Sequence, residues 1–214
     1  MTPDPKISLY PQLGAYATEL LAAGDLIPEM RKTQLAKLAE YISRKRATSG
    51  IVRLNFICTH NSRRSHISQI WAATAAAYFG LDGIGAYSGG TEATAFNPRA
   101  VAAMERAGFQ IINPGGDNPH YLVSFSPDVS PIESYSKTFD DPANPQKEFA
   151  AVMTCSDADE NCPFIPGTEL RLPLTYDDPK AADNTPEETA RYDERVRQIG
   201  REIFYAMQLV TQLP

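Results

Sequence analysis

Cys58 sits in the most informative surroundings in this chain. The run Phe56-Ile57-Cys58-Thr59-His60-Asn61-Ser62-Arg63-Arg64-Ser65 leaves an apolar stretch and enters a helical one. Five residues separate Cys58 from Arg64. A loop of that length can curl until successive backbone N–H groups face one centre, where the following helix adds partial positive charge. A tetrahedral oxyanion of phosphate type suits such a cradle, and Arg64 would clamp it with a planar fork. The same field acts on the sulfur. A free thiol ionises near pH ~8.5, so only about 3% is thiolate at neutral pH. A helix N-terminus with an arginine beside it can bring that value down to roughly 3.5–7.5. The Ser65 hydroxyl could donate to the sulfur, giving a nucleophile beneath a bound anion. The loop does not fit the glycine-and-lysine pattern of nucleotide-binding loops.

The other two cysteines lie in Cys155-Ser156-Asp157-Ala158-Asp159-Glu160-Asn161-Cys162-Pro163, with six residues between them. In a polar loop that spacing suits reversible disulfide chemistry. Zinc is poorly supported, because the spacing is too long and only His60, His66 and His120 could assist. A proton donor for a departing oxygen is the remaining need. Asp141, before Pro142, and Asp178, before Pro179, compete for that part.

These residues need a scaffold, and a strand–helix alternation supplies one. Strands are expected at Ile51–Ile57, Gly85–Ser88, Phe149–Thr154 and Leu172–Tyr176. Helices are expected over 65–79, from Asn97-Pro98 to Ala107 with Gly108 as its stop, and over 187–209. Strands alternating with helices predict a parallel sheet covered on both faces. Residues 1–50 predict a helical extension, with Leu13, Tyr16, Leu20 and Leu21, then Leu35, Leu38 and Ile42, at helical spacing. Pro28 starts the second helix and Ser49-Gly50 ends it. The extension reads as a packing appendage, or alternatively as a docking surface. Residues 51–214 form the catalytic domain in this reading. Within it, 113–147 is an insertion carrying Pro114, Pro119, Pro127, Pro131, Pro142 and Pro145. It is expected to lie over a sheet edge, with Tyr121–Ser126 and Ser134–Phe139 pairing as a hairpin.

Composition narrows the function. The 214 residues are 43% apolar and 21% charged, which excludes disordered, collagenous and disulfide-scaffold classes. Twenty basic against 26 acidic residues leave a net charge of −6, which argues against a nucleic-acid partner. The longest mainly apolar stretch, Ile70–Leu81, is too short to span a bilayer. The first residues show no signal-peptide pattern. An odd number of cysteines fits a reducing cytoplasm.

Cys58–Ser65, C-T-H-N-S-R-R-S, resembles the phosphate-binding loop of low-molecular-weight protein tyrosine phosphatases, which thioredoxin-coupled arsenate reductases share. Asn61 matches the loop asparagine, which in the family takes a left-handed backbone. Ser88-Gly89-Gly90 resembles the family's S-A-G, whose serine ties down that asparagine. His60 stands in place of a glycine, at the pocket mouth or at a cost in strain, and Arg63 in place of a cysteine. The run from Cys155 to Pro163 resembles a stretch of the arsenate reductases alone.

The resemblance implies a flavodoxin-like α/β fold, a three-layer sandwich on a four-stranded parallel sheet with low-molecular-weight phosphatase topology. It implies arsenate reduction by a Cys58–Cys155–Cys162 relay, with Thr59, His60, Asn61, Ser62, Arg63 and Arg64 forming the anion-binding loop. It selects Asp178 as the acid, because the family's D-P follows one more strand. Lys180, where the phosphatases have tyrosine, weakens a phosphotyrosine preference. No bound cofactor is implied. Thioredoxin, or glutaredoxin, is the external reductant. Potassium stays open: Asn61, Ser88 and Asp117 could match the ligands of family members that bind it, whereas Gln69 replaces a glutamate. The rival functions are phosphate-ester hydrolysis through a phosphocysteine and non-catalytic anion sensing.

Overall fold

The computed structural model describes residues 5–161 and 164–213. Its main sheet contains β1 (Val52–Cys58), β2 (Ile84–Gly90), β6 (Phe149–Met153) and β7 (Thr168–Pro173), in the order β2-β1-β6-β7. All neighbouring pairs are parallel. The helices are α1 (Pro11–Ala22), α2 (Glu29–Ser49), α3 (Arg64–Phe79), α4 (Pro98–Ala107), α5 (Ser156–Asn161) and α6 (Glu188–Val210). A second, antiparallel sheet joins β3 (Gln110–Ile112), β4 (Tyr121–Ser124) and β5 (Ile132–Ser134) in that order.

Side chains alternate across a strand, so β1 feeds two cores. Leu54 and Phe56 join Trp71, Val196, Phe204 and the residues beneath α3 and α6. Ile57 faces the other way, into a smaller cluster with Phe149, Ala151, Met153, Cys155, Ala158 and Ile165. Central strands buried on both faces read as continuous apolar runs, which is how FAAVM at β6 reads.

The first 50 residues pack into the larger core. Leu13, Leu20, Leu35, Leu38 and Ile42 are fully buried or nearly so in it, and each such side chain contributes on the order of 1.5–3 kcal/mol. Gly50 closes α2 at φ 69°, a left-handed stop that costs glycine little. Gly200 lets α6 approach closely: a methyl there would fall 2.8 Å from both Leu20 and Trp71.

Three expectations need correction. The last strand begins four residues early and ends three early, at Thr168–Pro173 rather than Leu172–Tyr176. The chain beyond it still leans on its neighbour, since Leu174 N–H donates to Met153 O and Tyr176 N–H to Thr154 O. The hairpin pairs differently as well. β4 pairs with Ile132–Ser134 and with Gln110–Ile112, not with 134–139. The later residues are drawn to the main sheet instead. Gly90 N–H donates to Lys137 O and Phe139 N–H to Gly90 O, along an edge where Gly89 presents no side chain and a methyl would meet Phe139 Cα at 2.4 Å. Finally, residues 156–161 form the short helix α5 where a polar loop was expected. Among the described residues, no helix is long and apolar enough to cross a membrane.

Candidate active site

Cys58 ends β1, and Arg64 opens α3, at the carboxyl edge of the sheet, the usual place for ligands in such folds. The loop between them turns its carbonyls outward. Cys58 O accepts from Thr91 N–H, Thr59 O from Glu92 N–H, and Ser62 O from Asn97 N–H. His60 O accepts from the hydroxyls of Thr94 and Ser136. In a trans peptide the N–H points opposite to the carbonyl. The N–H groups of Thr59, His60, Asn61 and Arg63 are therefore turned inward, as an anion cradle requires. Gly90 lets the loop seat: a methyl there would lie 2.6 Å from Thr59 O and 2.7 Å from Asn61 N.

Asn61 takes the left-handed backbone at φ 43°. Its Oδ1 accepts from the Lys137 N–H at 2.9 Å, so its Nδ2 is the atom donating to Ser65 Oγ at 2.8 Å. Ser65 therefore accepts on that side, and its own proton is free for Cys58 Sγ, 3.1 Å away. The direction of the last bond follows from the first. Ser88 is placed differently from the resemblance. Its hydroxyl lies 3.3 Å from His66 Nδ1 rather than holding Asn61, because Lys137 from the proline-rich segment has taken that part. Residues 113–147 thus reach the loop, through Ser136 and Lys137.

His66 is fully buried and stacked on Phe96 with ring centroids 4.3 Å apart. Burial, reinforced by the Lys137 ammonium, holds its pKa down to about 3, so the ring is neutral. Lys137 is itself buried, which lowers its pKa. His60 is about half exposed at the cavity mouth, 3.7 Å from Glu92, and has no positive φ. The histidine in place of glycine therefore costs no left-handed strain.

Cys58, His60, Ser62, Arg63, Arg64 and Asp178 line a small cavity. Asp178 reaches it from the turn after β7. Its Oδ2 accepts from Arg64 Nη2 at 2.8 Å, and its Oδ1 caps Lys180 N–H at 3.0 Å. Arg64 Nη1 donates to Tyr176 O. Asp141, the competing aspartate, accepts from Ala143 N–H in a turn of the insertion. Arg63 is only 11% exposed; its Nε donates to Tyr192 Oη at 3.0 Å, and Nη1 lies 3.8 Å from Asp178 Oδ2. Tyr192 has the spacing of a core position on α6, and nothing in the sequence marks its hydroxyl for this contact.

Cys155 follows β6, next to β1, and shares the small apolar cluster with Cys58. Both are buried free thiols. Thr59 Oγ1 lies 3.4 Å from Cys155 Sγ and donates to Asp157 Oδ2 at 2.7 Å. A carboxylate only accepts, so the threonine oxygen is left to accept from the Cys155 S–H. Ala158 N–H also points at that sulfur, 3.4 Å away. Cys162 lies outside the described residues. No group of three or more His, Cys, Asp or Glu residues arranged for a metal occurs among the described residues. Of the residues matched to potassium ligands, Asn61 Oδ1 and the Ser88 hydroxyl are engaged as above.

The chain is 32% identical over 149 residues to an arsenate reductase of Bacillus subtilis, covering 69% of this chain and 89% of that protein. It belongs to the arsenate reductase family. An arsenate reductase of Halalkalibacterium halodurans is 34% identical over the same length and coverage. The arsenate reductase fold here is also that of a low-molecular-weight phosphotyrosine phosphatase of Vibrio cholerae. That structure aligns with TM-score 0.52 and 12% identity over 75% of this chain and 97% of its own. No family model matches the chain.

Proposed function

We propose that the protein reduces arsenate to arsenite by a three-thiol relay. The observation that carries this reading is the second buried thiol, Cys155, held against Thr59 of the cradle itself. Ester hydrolysis has no use for it.

The inward amides and Arg64 bind arsenate above Cys58. The Cys58 thiolate, with Ser65 donating to it, displaces an oxygen from arsenic(V), and Asp178 supplies the proton with which that oxygen departs. Cys155 then gives up its proton along Thr59 towards Asp157 and attacks Cys58 Sγ. The pair of electrons in the sulfur–arsenic bond passes to arsenic, arsenite leaves, and a Cys58–Cys155 disulfide remains. Cys162 attacks Cys155, which frees Cys58 and leaves a Cys155–Cys162 disulfide. A dithiol protein of the thioredoxin or glutaredoxin class reduces that bond and closes the cycle.

The test is a reductant-coupled arsenate assay beside a phosphate-ester assay on one preparation, with Cys162→Ser in parallel. The reading expects dithiol-dependent arsenite production, and about one turnover without cycling in Cys162→Ser. Full cycling in that variant would remove the relay. Steady ester hydrolysis without reductant would favour the phosphatase reading, and anion binding without turnover a sensor.

A further inference from the structure

We propose that Arg63 is a second anion-binding guanidinium, aimed into the cavity by Tyr192 and Asp183, and that it tunes the site to doubly charged tetrahedral oxyanions. The proposal rests on the reading of the Cys58 loop as an oxyanion cradle.

The hydrogen-bond directions orient the side chain. Tyr192 Oη donates to Asp183 Oδ1 at 2.8 Å, so its oxygen is free to accept from Arg63 Nε at 3.0 Å. The ring is almost fully buried on α6, which makes it a rigid post. With Nε committed to the tyrosine, the planar fork leaves the terminal nitrogens of Arg63 for other partners. Nη1 lies 3.8 Å from Asp178 Oδ2, the oxygen that Arg64 Nη2 contacts at 2.8 Å. Two guanidiniums therefore converge on one carboxylate oxygen at the wall of the cavity that also holds Cys58.

That convergence marks where charge is wanted. Arg63 and Arg64 bring two positive charges to the wall facing the guest. Each attracts a dianion about twice as strongly as a monoanion at the same distance, so the loss of Arg63 costs a dianion more. Arg64 is a short loop contact, whereas Arg63 is set from α6, 129 residues away. The selectivity is thus built by a helix outside the loop.

The experiment reads anion binding without turnover, as protection of Cys58 from iodoacetamide followed by mass of the Cys58 peptide. Sulfate is the dianion probe and perchlorate the monoanion. Arg63→Ala is expected to weaken protection by sulfate about tenfold or more, the loss that goes with one charge-assisted hydrogen bond. Protection by perchlorate should change far less, so the sulfate-to-perchlorate ratio falls. Tyr192→Phe should lower the ratio in the same direction by a smaller factor, because the arginine stays but loses its post. Arg63→Lys should fall between native and alanine. An unchanged ratio in Arg63→Ala overturns the proposal, and if that variant does not fold, an unchanged ratio in Tyr192→Phe does so. Sulfate that fails to protect even the native chain would overturn the cradle and this proposal with it. Sulfate protection in a chain that never reduces arsenate would leave Arg63 in its role while removing the proposed function.

Discussion

Acid should loosen this protein from beneath its active site, through His66. The ring is buried on α3, two residues past Arg64, between Phe96 and the Ser88 hydroxyl. Its Nε2 has no hydrogen-bond partner in the described structure. Burial first, then the Lys137 charge, lowers its pKa to about 3, against about 6.5 in an unfolded chain. The unfolded chain therefore takes a proton that the folded chain refuses. Above pH ~6.5 neither form binds it and there is no penalty; below, stability falls by about 1.4 kcal/mol per pH unit until pH ~3. Between pH 7 and pH 5 the loss from this one group is about 2 kcal/mol, a large part of a typical net stability of about 5–15 kcal/mol. Urea unfolding of the native chain and of His66→Gln at both pH values isolates it, because the carboxylates titrate in both chains and cancel. The variant is expected to be weaker at pH 7 but to lose about 2 kcal/mol less on going to pH 5. Equal losses in the two chains would refute the reasoning.

Two further outcomes follow from the loop's supports. Ser65→Ala removes the hydroxyl that Asn61 turns towards Cys58, so iodoacetamide labelling of Cys58 at neutral pH should slow about tenfold, the scale of a hydrogen bond to a charged atom; equal labelling rates would refute the assigned direction. Gly90→Ala sets a methyl against the Thr59 and Asn61 backbone. Overpacking of that kind costs about 1–3 kcal/mol, and here it should abolish sulfate protection of Cys58 with only a modest fall in melting temperature. A variant that still binds sulfate like the native chain would show that the loop does not depend on that contact.

The candidate site was legible wherever its logic is local. Cys58, Arg64 and Ser65 lie within eight residues, bracketed by an apolar strand and a helix start. A short loop has few ways to close, so residue type and spacing nearly determine its shape. Gly50 and Gly108 mark helix ends that close in left-handed turns, which glycine tolerates, whereas the left-handed turn at Asn61 was legible only through the family resemblance. Asp178 could be separated from Asp141 only through the resemblance, and the cavity places it beside Arg64.

What tertiary structure alone decided is what comes from afar. The Lys137 amide on Asn61 bridges 76 residues, and the Tyr192 hydroxyl on Arg63 bridges 129. Both donors and acceptors sit at positions whose patterns announce other things, a proline-rich loop and an apolar helix stripe. The earlier bounds of β7 and the pairing of β4 with Ile132–Ser134 were likewise settled by packing against partners. Backbone preference is a property of a residue and its immediate neighbours, so a sequence displays it directly. A hydrogen bond between distant segments exists only after the core has brought them together, and many sequences with the same local pattern would bring together different ones.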